Sequence, residues 1–195
     1  MAIEIRETFQ VQAPIDAVWR FVMDPEQIAS CMPGAVLEEV IDERTFLGSI
    51  KVQLGAVTIS YKGRIQLTEV DEQKYTVRME AEGREMGGGT AKASMSSSLR
   101  ALPDGQTEVT TEASIDLTGR IMQVGRGMIQ GVSQQLFQQF VARAKARMEA
   151  PAGEAAAEEE EATEAEPIRV VPLIFRVLWS PVSRFLRRLF RRPAN

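Results

Sequence analysis

The chain predicts an α+β fold, a strongly curved antiparallel sheet of about seven strands (β-α-α-β6-α) wrapped around one long C-terminal helix. Two patterns predict it. From Ala2 to Leu117, apolar and polar residues alternate at period two between short polar turns, so the strands carry one apolar face each. From Gly119 to Met148 the period becomes helical: Val124, Met128, Val132, Leu136 and Phe140 recur every four residues with Ile129 beside them. Gln130, Gln134, Gln138, Arg143 and Lys145 mostly lie off that stripe. A sheet with one apolar face and a helix with one apolar stripe bury each other.

The elements follow in order. Ala2–Gln12 alternates Ile3, Ile5, Phe9 and Val11 against Glu4, Arg6, Thr8 and Gln10, which makes a strand. Glu7 breaks the pattern by falling on the apolar face, at an open end of the sheet or as a polar group lining a cavity. Pro14 opens a helix with Ile15, Val18, Trp19 and Val22 at helical spacing. Asp24-Pro25 starts a second short helix, Glu26–Ser30, followed by the tight apolar turn Cys31-Met32-Pro33-Gly34-Ala35. Val36–Ile41 is a short strand. A meander follows over Thr45–Leu54, Ala56–Val70, Lys74–Gly83, Gly88–Ala101 and Gln106–Leu117, with Pro103-Asp104-Gly105 as one of its turns.

Composition narrows the chemistry. The 195 residues hold no His and a single Cys, Cys31. His-based triads, imidazole acid–base catalysis, His metal sites, thiolate clusters and intramolecular disulfides are therefore excluded. Gly87-Gly88-Gly89 lies between strands and reads as a turn, not a phosphate loop. Cys31 reads as a small apolar turn residue, and Asp24 and Glu26 as a helix start. No catalytic residues and no metal ligands are assigned. The first residues have neither a basic nor an apolar signal region, and no window is apolar enough to span a bilayer, so a cytoplasmic protein is expected.

The inner faces of the later strands are small: Gly63, Ala81, Gly83, Ala91, Ala93, Ser97 and Ala113. Gly125, Gly127 and Gly131 lie near the start of the facing helix. Interiors pack densely, so either the helix sits very close to the sheet or a hollow remains between them. A curved sheet cannot follow a straight helix along its whole length, which favours a hollow toward the helix's N-terminal half. Its expected lining is Phe46, Tyr61, Met79, Ala93, Met95, Ala113, Met122, Met128, Ile129 and Val132. Methionines suit flexible apolar ligands, although they also fill gaps in solid cores. Arg120 and Arg126, at the strand–helix junction, meet either a polar head group, a partner or solvent.

Taken together, the Pro-initiated helix with Val18-Trp19, Asp24-Pro25-Glu26, Cys31-Met32-Pro33-Gly34-Ala35, the six-strand meander and Thr118-Gly119-Arg120-Ile121-Met122-Gln123-Val124-Gly125 resemble the carbon monoxide dehydrogenase G-subunit family. That family lies in the START/polyketide-cyclase-like superfamily, with the helix-grip fold. The resemblance covers residues 1–148. It implies an apolar cavity between sheet and helix. It also implies a molybdenum-containing carbon monoxide dehydrogenase or related hydroxylase as partner, anchored at the membrane, and a quinone that takes its electrons.

Beyond this domain the charge separates. Within residues 151–195, seven glutamates come first, all by Glu166, and seven arginines follow. Residues 149–166 are Ala/Glu-rich with little apolar bulk and read as a flexible acidic linker, spanning roughly 25 Å as a loose chain. Residues 167–195 carry a different pattern. On a helical projection Arg184, Arg187, Arg188 and Arg191 share a face with Arg176, Ser180 and Ser183, in an arc of about 140°. Phe175, Trp179, Phe185 and Phe190 lie opposite, with Ile174, Leu178, Val182, Leu186 and Leu189. A cationic face against a bulky apolar face suits a helix lying in a membrane interface. Docking into a protein groove is the competing use. A nucleic-acid partner is not expected, because too much apolar surface interleaves the arginines.

The resulting expectation is a membrane-tethered, non-catalytic accessory protein, peripheral on the inner face of the cell membrane. It binds a lipophilic small molecule, menaquinone or ubiquinone, without a covalent bond. It couples the dehydrogenase to the electron-transport chain. The alternatives are a recruitment adaptor with a solid core and no ligand, and a cyclase- or hydrolase-like enzyme using Glu7 or Tyr61.

Overall fold

A computed structural model of the chain describes residues 2–150. The linker beyond residue 150 and the tail residues Phe175, Trp179, Arg184, Phe185, Arg187, Arg188, Phe190 and Arg191 lie outside the described residues.

The alternating N-terminal stretch forms β1 (Ala2–Val11). Pro14, which has no N–H to satisfy, precedes α1 (Ile15–Val22). Asp24 caps α2 (Pro25–Cys31), its carboxylate accepting from the backbone N–H groups of Glu26 at 3.0 Å and Gln27 at 3.1 Å. The meander follows as β2 (Ala35–Asp42), β3 (Thr45–Leu54), β4 (Val57–Asp71), β5 (Thr76–Glu85), β6 (Thr90–Ala101) and β7 (Thr107–Leu117). These strands form one seven-stranded antiparallel sheet in the order β1-β7-β6-β5-β4-β3-β2. β1 and β2 are thus its opposite edges, and α1 and α2 join them.

Two features bend the sheet. Register shifts interrupt β2–β3 between Leu37 and Glu39, and β4–β5 between Leu67 and Glu69. Such shifts kink a strand and increase its twist. In addition, Gly48 pairs with Gly63 and Gly63 with Gly83, a row of three residues without side chains across β3, β4 and β5. A Cβ built on Gly63 would fall on the Glu82 carbonyl oxygen and 2.7 Å from Gly83 Cα. The backbones come this close only because Gly63 carries no side chain; a Cβ on Gly83 would make ordinary contacts, the nearest at 3.4 Å.

The C-terminal helix departs from the single helix predicted from Gly119. Gly119 (φ 88°) and Gly125 (φ 91°) both sit at positive φ, which L side chains rarely adopt. Between them Arg120–Val124 forms a 3-10 turn, and α3 (Arg126–Glu149) begins only after the second break. The restart changes which residues face inward. Ile129 is buried, with Val132 packed beside it, whereas Met128 is 49% exposed and Met122, on the 3-10 turn, is 42% exposed. An every-four stripe also drifts around an α-helix of 3.6 residues per turn, so Met128 and Ile129 could not both stay centred on the sheet.

The core is divided. One cluster joins Ile3, Leu54, Ile59, Tyr61 and Leu117 to Ile121 and Ile129. A second joins Val11, Ala13, Val77, Leu99 and Val109 to Val18 and Trp19 of α1. A third ties Phe21 and Cys31 to Ala144, with Phe140 and Met148 packed on it, and so fixes the far end of α3 against α1 and α2.

Candidate ligand site

Strand register lays the concave face out in rows. One row runs Phe46–Ile65–Ala81–Ala93–Ile115–Ile3, and the next runs Leu67–Met79–Met95–Ala113–Ile5. Both cross the middle of the sheet. Apart from Phe46 and Ile3 at the ends of the first row, every residue in them is only half-buried. The flanking regions belong to the two buried clusters that include Tyr61 and Leu99. α3 comes nearest to the sheet backbone along β1 and β3. The middle rows are therefore covered less closely than the flanks. Met79, Ala93, Met95 and Ala113, expected to line a hollow, lie in these half-buried rows. Ile129 and Val132 instead belong to the packed cluster that includes Tyr61.

A groove of about 510 Å³ opens between β1 and the C-terminal half of α3, lined by Glu7, Phe9, Phe137, Val141, Lys145 and Glu149 among others. Glu7 pairs with Thr111, which pairs with Ser97, and the Ser97 and Thr111 hydroxyls bond each other at 3.0 Å. Glu7 is exposed at the edge strand. It is both a residue at the open side of the sheet and a polar group lining a groove.

The opposite end of the concave face carries a buried carboxylate. Glu85 is the last residue of β5, and its side chain is 2% exposed. Oε1 accepts from Arg120 Nε at 3.0 Å and from a terminal nitrogen of the same guanidinium. Gly87 is bare where a Cβ would sit 2.6 Å from Arg120 Nε, and Gly89 where one would sit 2.9 Å from Glu85 Oε2. The glycine turn therefore closes over the ion pair. Glu85 is the cross-strand partner of Tyr61. Tyr61 is buried, and burial first and the Glu85 carboxylate second push its phenol above the usual tyrosine range. Tyr61 Oη and Glu85 Oε2 are both buried with no hydrogen-bond partner among the described residues. Buried polar atoms are nearly always paired, so two orphans on neighbouring strands of one concave face mark a polar spot.

The family model for the G subunit of carbon monoxide dehydrogenase (CoxG) matches residues 8–149. The chain belongs to the CoxG family. No curated protein matches it by sequence. Among solved structures it is similar to a conserved protein from Geobacillus kaustophilus, at 21% identity and a TM-score of 0.68, over 75% of this chain and 95% of that one. It is also similar to the Zhui aromatase/cyclase from Streptomyces sp. R1128, at 13% identity and a TM-score of 0.58, over 76% of this chain and 94% of that one. A START superfamily protein from Mycobacterium smegmatis matches at 11% identity and a TM-score of 0.53, over 75% and 97%. At these identities the likenesses establish the fold, which is the helix-grip architecture of START-like proteins.

In this CoxG-family chain, the parity read from the sequence turns Met79, Ala93, Met95 and Ala113 to one face of the sheet but does not reach Glu85. Glu85 has the inward parity of Tyr75, Val77, Met79 and Ala81. The predicted strand stopped at Gly83, so the parity was not carried two residues further. Arg120 proves to be paired, and Arg126 is exposed. Cys31 is 2% exposed in the α1–α2–α3 cluster, and burial pushes its thiol up, as befits an apolar packing residue. Among the described residues, no helix is long and apolar enough to cross a membrane.

Proposed function

We propose that this CoxG-family protein carries a respiratory quinone, menaquinone or ubiquinone, in the hollow between sheet and α3. It binds without a covalent bond and couples a molybdenum-containing carbon monoxide dehydrogenase or related hydroxylase to the membrane quinone pool. The observation that supports this reading is the pair of half-buried rows from Ile65 to Ile115 and from Leu67 to Ile5. A solid core would bury such central apolar residues. An apolar hollow gives a polyisoprenoid chain a route through water, where exposing its surface would cost roughly 25 cal/mol per Å². Family membership supports the dehydrogenase as partner. The cationic and apolar residues of the segment 167–195 support attachment to the inner face of the cytoplasmic membrane. The protein acts as a carrier, and the redox chemistry stays in its partner.

The test is mass spectrometry of an organic extract of the full chain, purified without detergent, with phospholipid measured in the same extract. Quinone near one per chain, without matching phospholipid, supports the carrier. A blank that persists after incubation with quinone-loaded liposomes leaves the recruitment adaptor.

A further inference from the structure

We infer that Tyr61 Oη and Glu85 Oε2 form a head-group subsite that prefers the hydroquinone form of a quinone over the oxidised form. This deepens the quinone-carrier reading and rests on it. Each atom belongs to a side chain more than nine-tenths buried, and neither has a hydrogen-bond partner among the described residues. Their strands are paired at Tyr61 and Glu85, so both side chains rise from the concave face side by side.

The two atoms ask for different things. A phenol O–H donates, and either a quinone carbonyl or a hydroquinone oxygen can accept from it. A carboxylate oxygen only accepts, so it needs a ligand hydroxyl that donates. Glu85 cannot turn away from this role, because Arg120 holds Oε1 with two nitrogens and leaves Oε2 outside the pair. A hydroquinone satisfies both atoms, donating one O–H to Glu85 Oε2 and accepting from Tyr61 Oη at an oxygen. A dione satisfies Tyr61 alone and sets carbonyl lone pairs against the carboxylate. Hydrogen bonds to charged groups are the stronger class, so the reduced form gains on the order of tenfold in affinity.

The two forms differ by two electrons and two protons, taken up by the quinone as each carbonyl becomes a hydroxyl. Tenfold tighter binding of the reduced form would raise the two-electron potential of the bound quinone by about 30 mV. The site would thus draw electrons from a donor enzyme, and its loaded form would be the reduced one.

The test uses the full chain and menadione with its reduced form menadiol, under strict anaerobiosis, by equilibrium dialysis. Wild type is expected to bind menadiol about tenfold more tightly than menadione. Tyr61→Phe should weaken both forms severalfold. Glu85→Gln keeps an oxygen for Arg120 and places an amide N–H₂ donor where Oε2 was, so it should reverse the preference toward menadione. A merely structural role for Glu85 would not reverse it. Equal wild-type affinities, or a preference unmoved in Glu85→Gln, would overturn the subsite while leaving the carrier intact. If neither form binds and the organic extract is also blank, the carrier reading fails and takes the subsite with it. Should Glu85→Gln fail to fold, the Tyr61→Phe loss and the wild-type ratio still decide.

Discussion

Gly63 and Gly83 face each other across β4 and β5, and Gly63 could not carry a side chain without moving the backbone, whereas a Cβ on Gly83 would meet Tyr61 Cβ at an ordinary 3.4 Å. This pair, with Gly48 beyond it, is a row without side chains where the sheet is free to bend. Gly63→Ala should destabilise the fold by about 2–3 kcal/mol, since the added methyl meets backbone and not a flexible side-chain end. Gly127→Ala, where nothing lies within 4 Å of the new methyl, should be neutral or slightly stabilising. Equal chemical-denaturation midpoints for the two variants would refute the tight crossing.

Ala93 and Ala113 separate a hollow from a solid core. Each is a small, half-buried residue in a central row. In a hollow, Ala93→Phe or Ala113→Phe fills space, keeps stability within about 1 kcal/mol and abolishes quinone binding. In a packed core the same changes overpack, costing roughly 1–3 kcal/mol. Thermal denaturation and ligand extraction on the same preparations measure both. Stable variants with unchanged quinone content would argue against ligand in these rows.

Arg120→Gln leaves Glu85 without its cationic partner. The Glu85 side chain is 2% exposed but that of Arg120 is 57% exposed, so solvent screens the pair from one side. The expected loss is about 1–2 kcal/mol, below that of a fully buried pair. The double variant Arg120→Gln, Glu85→Gln should recover part of it. A double variant no better than the sum of the singles would mean the two side chains do not depend on each other.

Tyr61 gives the protein an alkaline limb. Its phenol is raised in the fold by burial and then by Glu85. The native state therefore holds this proton more tightly than the unfolded chain does. The contribution is complete below the unfolded value of about 10 and is lost as pH rises through the folded value. As pH rises above about 10, urea midpoints of wild type should fall more steeply than those of Tyr61→Phe. Tyr75, raised by its hydrogen bond to Asp16, is present in both and cancels. Parallel curves would contradict the assignment.

Cys31 should be silent toward thiol reagents. It is 2% exposed, and burial raises its thiol out of the reactive range. At about pH 7.5 its reaction with a maleimide should be slower by orders of magnitude in the native protein than in denaturant. Rapid native labelling would place it outside the α1–α2–α3 cluster.

The sequence by itself determined the strands, their inward residues and the helix that completes the fold, because period two and period 3.6 are local consequences of backbone geometry. It also determined that Ala93 and Ala113 face inward, since parity alone turns them so. What it could not determine was phase across a break. Gly119 and Gly125 each adopt positive φ, and the resulting 3-10 turn sets Ile129 inward and Met128 outward. Nor could local spacing bring Glu85 to Arg120, 35 residues away. That meeting depends on β5 ending beside the β7–α3 junction, and only the assembled sheet decides it. How closely the helix covers the sheet is a tertiary property, because it depends on where α3 leans. Here α3 leans on β1 and β3, the flanks of the sheet, and the middle rows stay half-buried.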